Sequence, residues 1–193
     1  MTQLSRIALA VAALSLAPIA SHAQTLPESS TRRIDSVFAQ YTPMTPGCAI
    51  GIVREGRTVF EKGYGMSNFE HGVSITPASI FHVASISKQF TAMSIVLLEQ
   101  DKRLSLDDSI QKWVPEVPSF GATITLRHLL HHTSGLRDWP GTLAVAGWRF
   151  DDVISFDQIK RMAMHQHSLN FVPGAEYTYS NTGYNMLAEV VQR

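Results

Sequence analysis

Two serines in this 193-residue chain stand three positions ahead of a lysine: Ser85 before Lys88, and Ser109 before Lys112. That spacing can support nucleophilic chemistry. Residues three apart on a helix share a face, so the amine reaches the hydroxyl. Burial disfavours a charged lysine, and a neutral amine can take the hydroxyl proton and leave a nucleophile. Backbone N–H groups at a helix start favour negative charge, which suits an oxyanion. The spacing alone decides little, because roughly half a match is expected by chance in a chain with these serine and lysine counts.

The flanking residues separate the two pairs. Ser109 and Lys112 lie in the polar run Asp107-Asp108-Ser109-Ile110-Gln111-Lys112 and read as a solvated accident. Ser85 and Lys88 open a helix-patterned stretch ending near Asp101, in which Ile86, Phe90, Met93 and Leu97 recur at helical spacing. Ala92, Ile95, Val96 and Leu98 fill most other faces. A helix apolar nearly all round is expected to be buried, and to bury Ser85 and Lys88 with it.

A second constellation is Tyr179-Ser180-Asn181, the chain's one Tyr-x-Asn, for which about a tenth of a match is expected by chance. A phenol beside a lysine ammonium has its proton affinity lowered and can act as base or shuttle. The asparagine offers both a donor and an acceptor to an amide or ester substrate. A structural tyrosine in a turn held by Asn181 explains the same residues without chemistry.

The remaining pattern supplies the elements. Residues 1–23 have the form of a secretory signal peptide, with Arg6, the mostly apolar run Ile7–Ala20 and small residues at Ser21-His22-Ala23 before Gln24. That apolar run is shorter than the roughly 20 residues a bilayer span requires, which favours cleavage over the alternative of an uncleaved membrane anchor; either way the rest of the chain is exported. The expectation is therefore an exported protein, periplasmic or secreted, with no membrane attachment after cleavage. Residues 24–193 are enough for one domain with a real core. A helix is expected over Thr31–Tyr41, then a hairpin of Cys48–Arg54 and Thr58–Tyr64 turned at Gly56, and a loop over Gly65–Ser79. Thr125 is expected to cap a helix over Leu126–His132 that Gly135 ends, and Ser155 with Gln158 forms a capping box. A last helix from near Thr182 shows the apolar face Tyr184, Leu187, Ala188 and Val191 and runs to Arg193 with no stop signal. The expectation there is the front part of a longer protein.

Sixteen basic residues balance sixteen acidic ones, which gives no nucleic-acid footprint. The single cysteine, Cys48, excludes an internal disulfide and reads as a packed core thiol. Trp139, Trp148 and Phe150 suit core packing better than a substrate groove.

Together these residues resemble the penicillin-recognising serine hydrolases: class C β-lactamases, D-Ala-D-Ala carboxypeptidases, D-aminopeptidases and family VIII esterases. The sister class A enzymes carry Ser-x-x-Lys with Ser-Asp-Asn, and Tyr-x-Asn replaces the latter in the class C-like branch. The flanks agree, in Phe81 through Ala92, His132-Thr133-Ser134-Gly135, Pro173-Gly174 and Asn181-Thr182-Gly183-Tyr184. The resemblance covers nearly all of 30–193. It implies an α+β, β-lactamase/transpeptidase-like fold, with an antiparallel sheet flanked by helices, a mostly helical subdomain and the C-terminal sheet strands missing. It implies Ser85 as the acylated nucleophile, Lys88 as its activator, Tyr179 as proton shuttle, Asn181 as substrate contact and the Ser85 N–H as half of an oxyanion hole. His132 to Gly135 would shape a loop near the site. No cofactor and no metal is implied. The partner is a small-molecule or peptide substrate, an ester, D-amino-acid peptide or β-lactam, with peptidase or esterase action favoured. The family's third motif, a Lys- or His-headed triad on a late strand, is absent. The implied function therefore belongs to the parent protein, and the fragment itself can be inactive.

Two alternatives compete. An inactive relative could bind penicillin or peptidoglycan peptides without turnover. A metal hydrolase could use His128, His131 and His132 with His165 and His167, although no His-Glu-x-x-His is present.

Overall fold

The computed structural model describes residues 25–149 and 151–193. The expected signal peptide, 1–23, and Phe150 lie outside the described residues. The chain divides into two compact units, one ending at Phe81 and one running His82–Arg193.

In the first unit, α1 spans Glu28–Val37, starting and stopping a few residues earlier than its apolar pattern suggests. The Pro27 carbonyl accepts from Ser30 N and Thr31 N, which sets the start. Phe38, just past the helix, stacks on Tyr64 with ring centres 5.1 Å apart. Asp35 of α1 accepts from Lys62 Nζ and Tyr64 Oη, both at 2.7 Å. Lys62 and Tyr64 belong to the hairpin of β1 (Cys48–Arg54) and β2 (Arg57–Tyr64), which pair antiparallel from Cys48↔Tyr64 to Arg54↔Arg57. Its two-residue turn has positive φ at both Glu55 (52°) and Gly56 (74°), the combination whose twist matches the strands.

The expected loop over 65–79 instead contains a short antiparallel ribbon, β3 (Met66–Asn68) with β4 (Val73–Ser74). The strands are too short to show an alternating pattern in the sequence. Cys48 is only half-buried rather than a core thiol, because it sits at the end of its strand opposite Tyr64.

The second unit is helical. A 3₁₀ turn over Ala84–Ser87 leads into α2 (Lys88–Gln100), followed by α3 (Ile110–Trp113), α4 (Leu126–Leu130), α5 (Trp139–Val145), α6 (Phe156–Met164) and α7 (Asn181–Gln192). The last helix is the hub, packing against α2, α4, α5 and α6. Ile95, Ile110, Val114, Val117, Ile124, Leu126, Leu129, Met186, Leu187 and Val190 form the core.

The caps follow the sequence. Thr125 Oγ1 accepts from His128 N while Thr125 N donates to His128 Nδ1, and Ser155 and Gln158 make the expected reciprocal pair. Ser109 caps α3 by accepting from Gln111 N, and Lys112 Nζ pairs with Asp108 at 2.8 Å, so the second Ser-x-x-Lys match is structural.

Three expectations for the helices of this unit are corrected. Helix α4 ends by His131, and it is His132, with φ at 59°, that turns the chain; Gly135 acts later in the loop. The buried stripe of α7 is Thr182, Gly183, Met186, Leu187 and Val190, one residue ahead of the expected face, and Ala188 and Val191 are exposed. Neighbours on several sides of α7, rather than its own periodicity, choose that stripe. Helix α2 is not buried all round: Ile95 alone is fully covered, whereas Phe90 is 68% and Met93 56% exposed. Apolar composition reports what a helix could bury, and only the strip through Ile95 meets the core.

Candidate active site

The 3₁₀ turn places Ser85 three residues before the start of α2, so that the Lys88 side chain at the helix start folds back over it. Lys88 Nζ donates to Ser85 Oγ at 3.0 Å. Ala84, the preceding residue, is held at φ 46°, a conformation costly for a residue with a Cβ. Ser85 is exposed and Lys88 half-buried, which corrects the expectation that both are buried. Lys88 is sheltered where it meets Asn181 and the Tyr179 and Tyr184 rings.

The far half of the site comes from the segment entering α7. Tyr179 Oη lies 2.6 Å from Ser85 Oγ and donates to it as a phenol. Asn181 Oδ1 accepts from Lys88 Nζ at 2.7 Å. Lys88 Nζ also stands 4.8 Å from the Tyr179 ring centre and 5.6 Å from that of Tyr184. All four residues singled out by spacing, Ser85, Lys88, Tyr179 and Asn181, are thus brought together. Burial pushes the Tyr179 phenol up, but bonding to Lys88 and Ser85 and the lysine charge outweigh it, and the phenol lies below its ordinary value. A phenol so placed loses its proton more readily than a free one and can accept the serine proton.

The loop between α4 and α5 grips that segment. Thr178 N donates to the His132 carbonyl at 2.9 Å and Ser180 N to His132 Nδ1 at 3.1 Å, so both neighbours of Tyr179 are tied to one residue. The His132 ring lies 4.5 Å from that of Tyr179 and 5.1 Å from that of Tyr184. Burial, then the charge on Lys88, holds the imidazole below its usual range. A neutral ring with a free Nδ1 lone pair is what the Ser180 bond requires. Gly135, at φ 74°, lets its carbonyl accept from Asn170 N at 2.8 Å; a Cβ there would stand 2.4 Å from the Phe171 oxygen. Thr182 Oγ1 accepts from Trp139 N at 2.9 Å.

The sequence reading missed Asp138. Its carboxylate accepts from Asn181 N at 2.6 Å and from Asn181 Nδ2 at 3.1 Å. The available signal was an Asp ahead of Trp139-Pro140, where a helix cap is expected. It would have suggested a cap, yet Asp138 makes no side-chain cap bond to α5. Trp139 and Trp148 are half-buried beside Pro140 and Leu143.

Among the described residues no group of three or more His, Cys, Asp or Glu is arranged to hold a metal ion. The Nδ1 atoms of His128, His132 and His165 each meet a backbone group.

The Beta-lactamase family model matches residues 34–193. The chain is 35% identical to penicillin-binding protein 4* of Bacillus subtilis over 72% of its own length and 30% of that protein. It is 29% identical to a D-aminopeptidase of Gluconobacter oxydans, covering 76% of this chain and 27% of that one. The octameric penicillin-binding protein homologue from Pyrococcus abyssi superposes with a TM-score of 0.72 at 30% identity, over 84% of this chain and 38% of that one. The α+β, β-lactamase/transpeptidase-like fold expected from the sequence is therefore the fold observed, in part of its full extent. The chain spans about three-tenths of the length of the curated relatives it matches.

Proposed function

Since the chain belongs to the β-lactamase family, we propose that the protein is an exported serine hydrolase that works through an acyl-enzyme on an amide, ester or β-lactam, with peptides and esters favoured. The observation that carries this reading is the convergence on Ser85 Oγ of Lys88 Nζ at 3.0 Å and Tyr179 Oη at 2.6 Å.

In the proposed reaction, the Lys88 ammonium lowers the Tyr179 phenol, and Tyr179 in its anionic form takes the Ser85 proton. Ser85 Oγ bonds to the substrate carbonyl carbon, whose oxygen becomes negative, and the Ser85 N–H at the helix start is the candidate donor to it. Collapse breaks the carbonyl bond to the leaving amine or alcohol, which receives the proton from Tyr179. Water then attacks the acyl carbon of the Ser85 ester while Tyr179 takes its proton; the bond from that carbon to Ser85 Oγ breaks, the carboxylic acid leaves, and Tyr179 returns the proton to Ser85 Oγ. Asn181 holds Lys88 through Oδ1 and is the candidate contact to the substrate amide. Relatives named a penicillin-binding protein and a D-aminopeptidase support the substrate range.

The test is labelling of the full-length gene product with a fluorophosphonate. Ser85 should carry the adduct by peptide mass spectrometry, and Ser85→Ala should lose it with the circular dichroism unchanged. A p-nitrophenyl ester, D-Ala peptide and nitrocefin panel then ranks the substrates. Export predicts a mature N-terminus at Gln24 in the periplasm or medium; a retained Met1 would exclude cleavage.

A further inference from the structure

The site contains one charged group that touches neither the serine nor the lysine. Asp138 sits where a helix N-cap belongs, but its carboxylate turns away from α5 and takes both N–H groups that Asn181 can offer on that side, the backbone N and Nδ2. A carboxylate only accepts hydrogen bonds. It therefore decides which end of the Asn181 amide faces it. With Nδ2 committed to Asp138, Oδ1 must face the opposite way, and there it meets Lys88 Nζ at 2.7 Å. The reversed amide would set oxygen against carboxylate and an amino group against the lysine, so both contacts would be repulsive at once.

We propose that Asp138 is a positioning residue: by fixing the Asn181 amide it presents an acceptor to Lys88 and holds the amine over Ser85. The inference rests on the serine-hydrolase reading above, but it concerns a residue that this reading does not use. The chain of contacts runs Asp138, Asn181, Lys88, Ser85, and crosses from the loop before α5 to the start of α7 and back to the start of α2. The Lys88 amine is anchored by Ser85 Oγ and by Asn181 Oδ1. Losing the second lets a long side chain leave the geometry that the first needs.

The test uses amide exchange. In Asp138→Asn, the oxygen of the introduced amide can still accept from Asn181 N, but its amino group faces Asn181 Nδ2. Asn181 must then rotate, which turns its own Nδ2 towards Lys88. The double exchange Asp138→Asn/Asn181→Asp restores every pairing: the amide introduced at position 138 donates to one oxygen of the carboxylate introduced at position 181, and the other oxygen accepts from Lys88. The probe is a fluorophosphonate, which carries no amide for position 181 to recognise. Its labelling rate at Ser85 is measured in the full-length gene product alongside thermal melting.

A displaced amine should slow labelling by about 10²-fold in Asp138→Asn. The double exchange should recover about tenfold of that loss at the same melting temperature. A merely structural Asp138 predicts a double variant no better than the single one, and that result overturns the proposal. So does a single variant labelled at the wild-type rate. If Asp138→Asn does not fold, the double variant decides by the same comparison with wild type. Labelling that persists in Ser85→Ala would instead remove the serine-hydrolase reading, so the two failures are distinguishable.

Discussion

Tyr179→Phe removes one oxygen and leaves the ring, and the two parts make different contacts. The ring keeps its place 4.5 Å from His132 and 4.8 Å from Lys88 Nζ. The oxygen contributes the 2.6 Å contact to Ser85. Tyr179 is 39% exposed, so water can replace that bond, and the stability change should stay within about 0.5–1.5 kcal/mol. The rate should fall much further. A positioned acid–base group contributes about 10²–10⁴-fold, which is about 2.7–5.4 kcal/mol at 1.36 kcal/mol per tenfold. The assay pairs fluorophosphonate labelling kinetics with thermal melting of the same preparations. It also reads pH. In the proposed reaction the anionic phenol is the base, so the wild-type rate should rise with pH through the Tyr179 value. That limb should lie below the ordinary tyrosine range near 10, because the phenol is lowered. In the phenylalanine variant the limb should vanish. Labelling within about threefold of wild type, or a limb that survives, would refute the assignment of Tyr179 as the base.

Gly135→Ala should destabilise the protein by more than about 1 kcal/mol, read as a lower melting temperature, since a Cβ at φ 74° meets the Phe171 oxygen at 2.4 Å. Ser109→Ala should cost about 1 kcal/mol through its lost cap to Gln111 N and leave labelling at the wild-type rate. His132 titrates below its ordinary value because of burial and Lys88. Its contribution to stability should be full above about 6.5 and fall as pH drops from there through the folded value, where the unfolded chain binds the extra proton. Thermal melts against pH should show this acid-side loss in wild type and a smaller one in His132→Asn.

The four site residues were legible because each half of the site is compact in sequence. Ser85 and Lys88 are one helical turn apart, and Tyr179 and Asn181 are two residues apart. The hairpin, the Thr125 cap and the Ser155–Gln158 box were legible for the same reason, since the partners of Thr125 and Ser155 lie three residues away; the reciprocal His128 bond at Thr125 was not, because histidine is not the Glu or Gln that marks such a box. What escaped depends on distant partners. Asp138 is 43 residues from Asn181, and its position ahead of Pro140 mimics a cap it does not make. The sequence implies a loop-shaping role for His132, and only the fold shows it bonding on both sides of Tyr179. The apolar pattern of α2 overstates its burial because residue type states a preference for company, while neighbours decide whether it is met.

The contact between Ser85 and Tyr179 joins residues 94 apart in the chain. Closing so long a loop spends entropy before any reward arrives, so such pairings complete late in folding. Partly folded molecules with intact helices should therefore be chemically silent, and the onset of probe reactivity during refolding becomes a clock for the docking of the last helix.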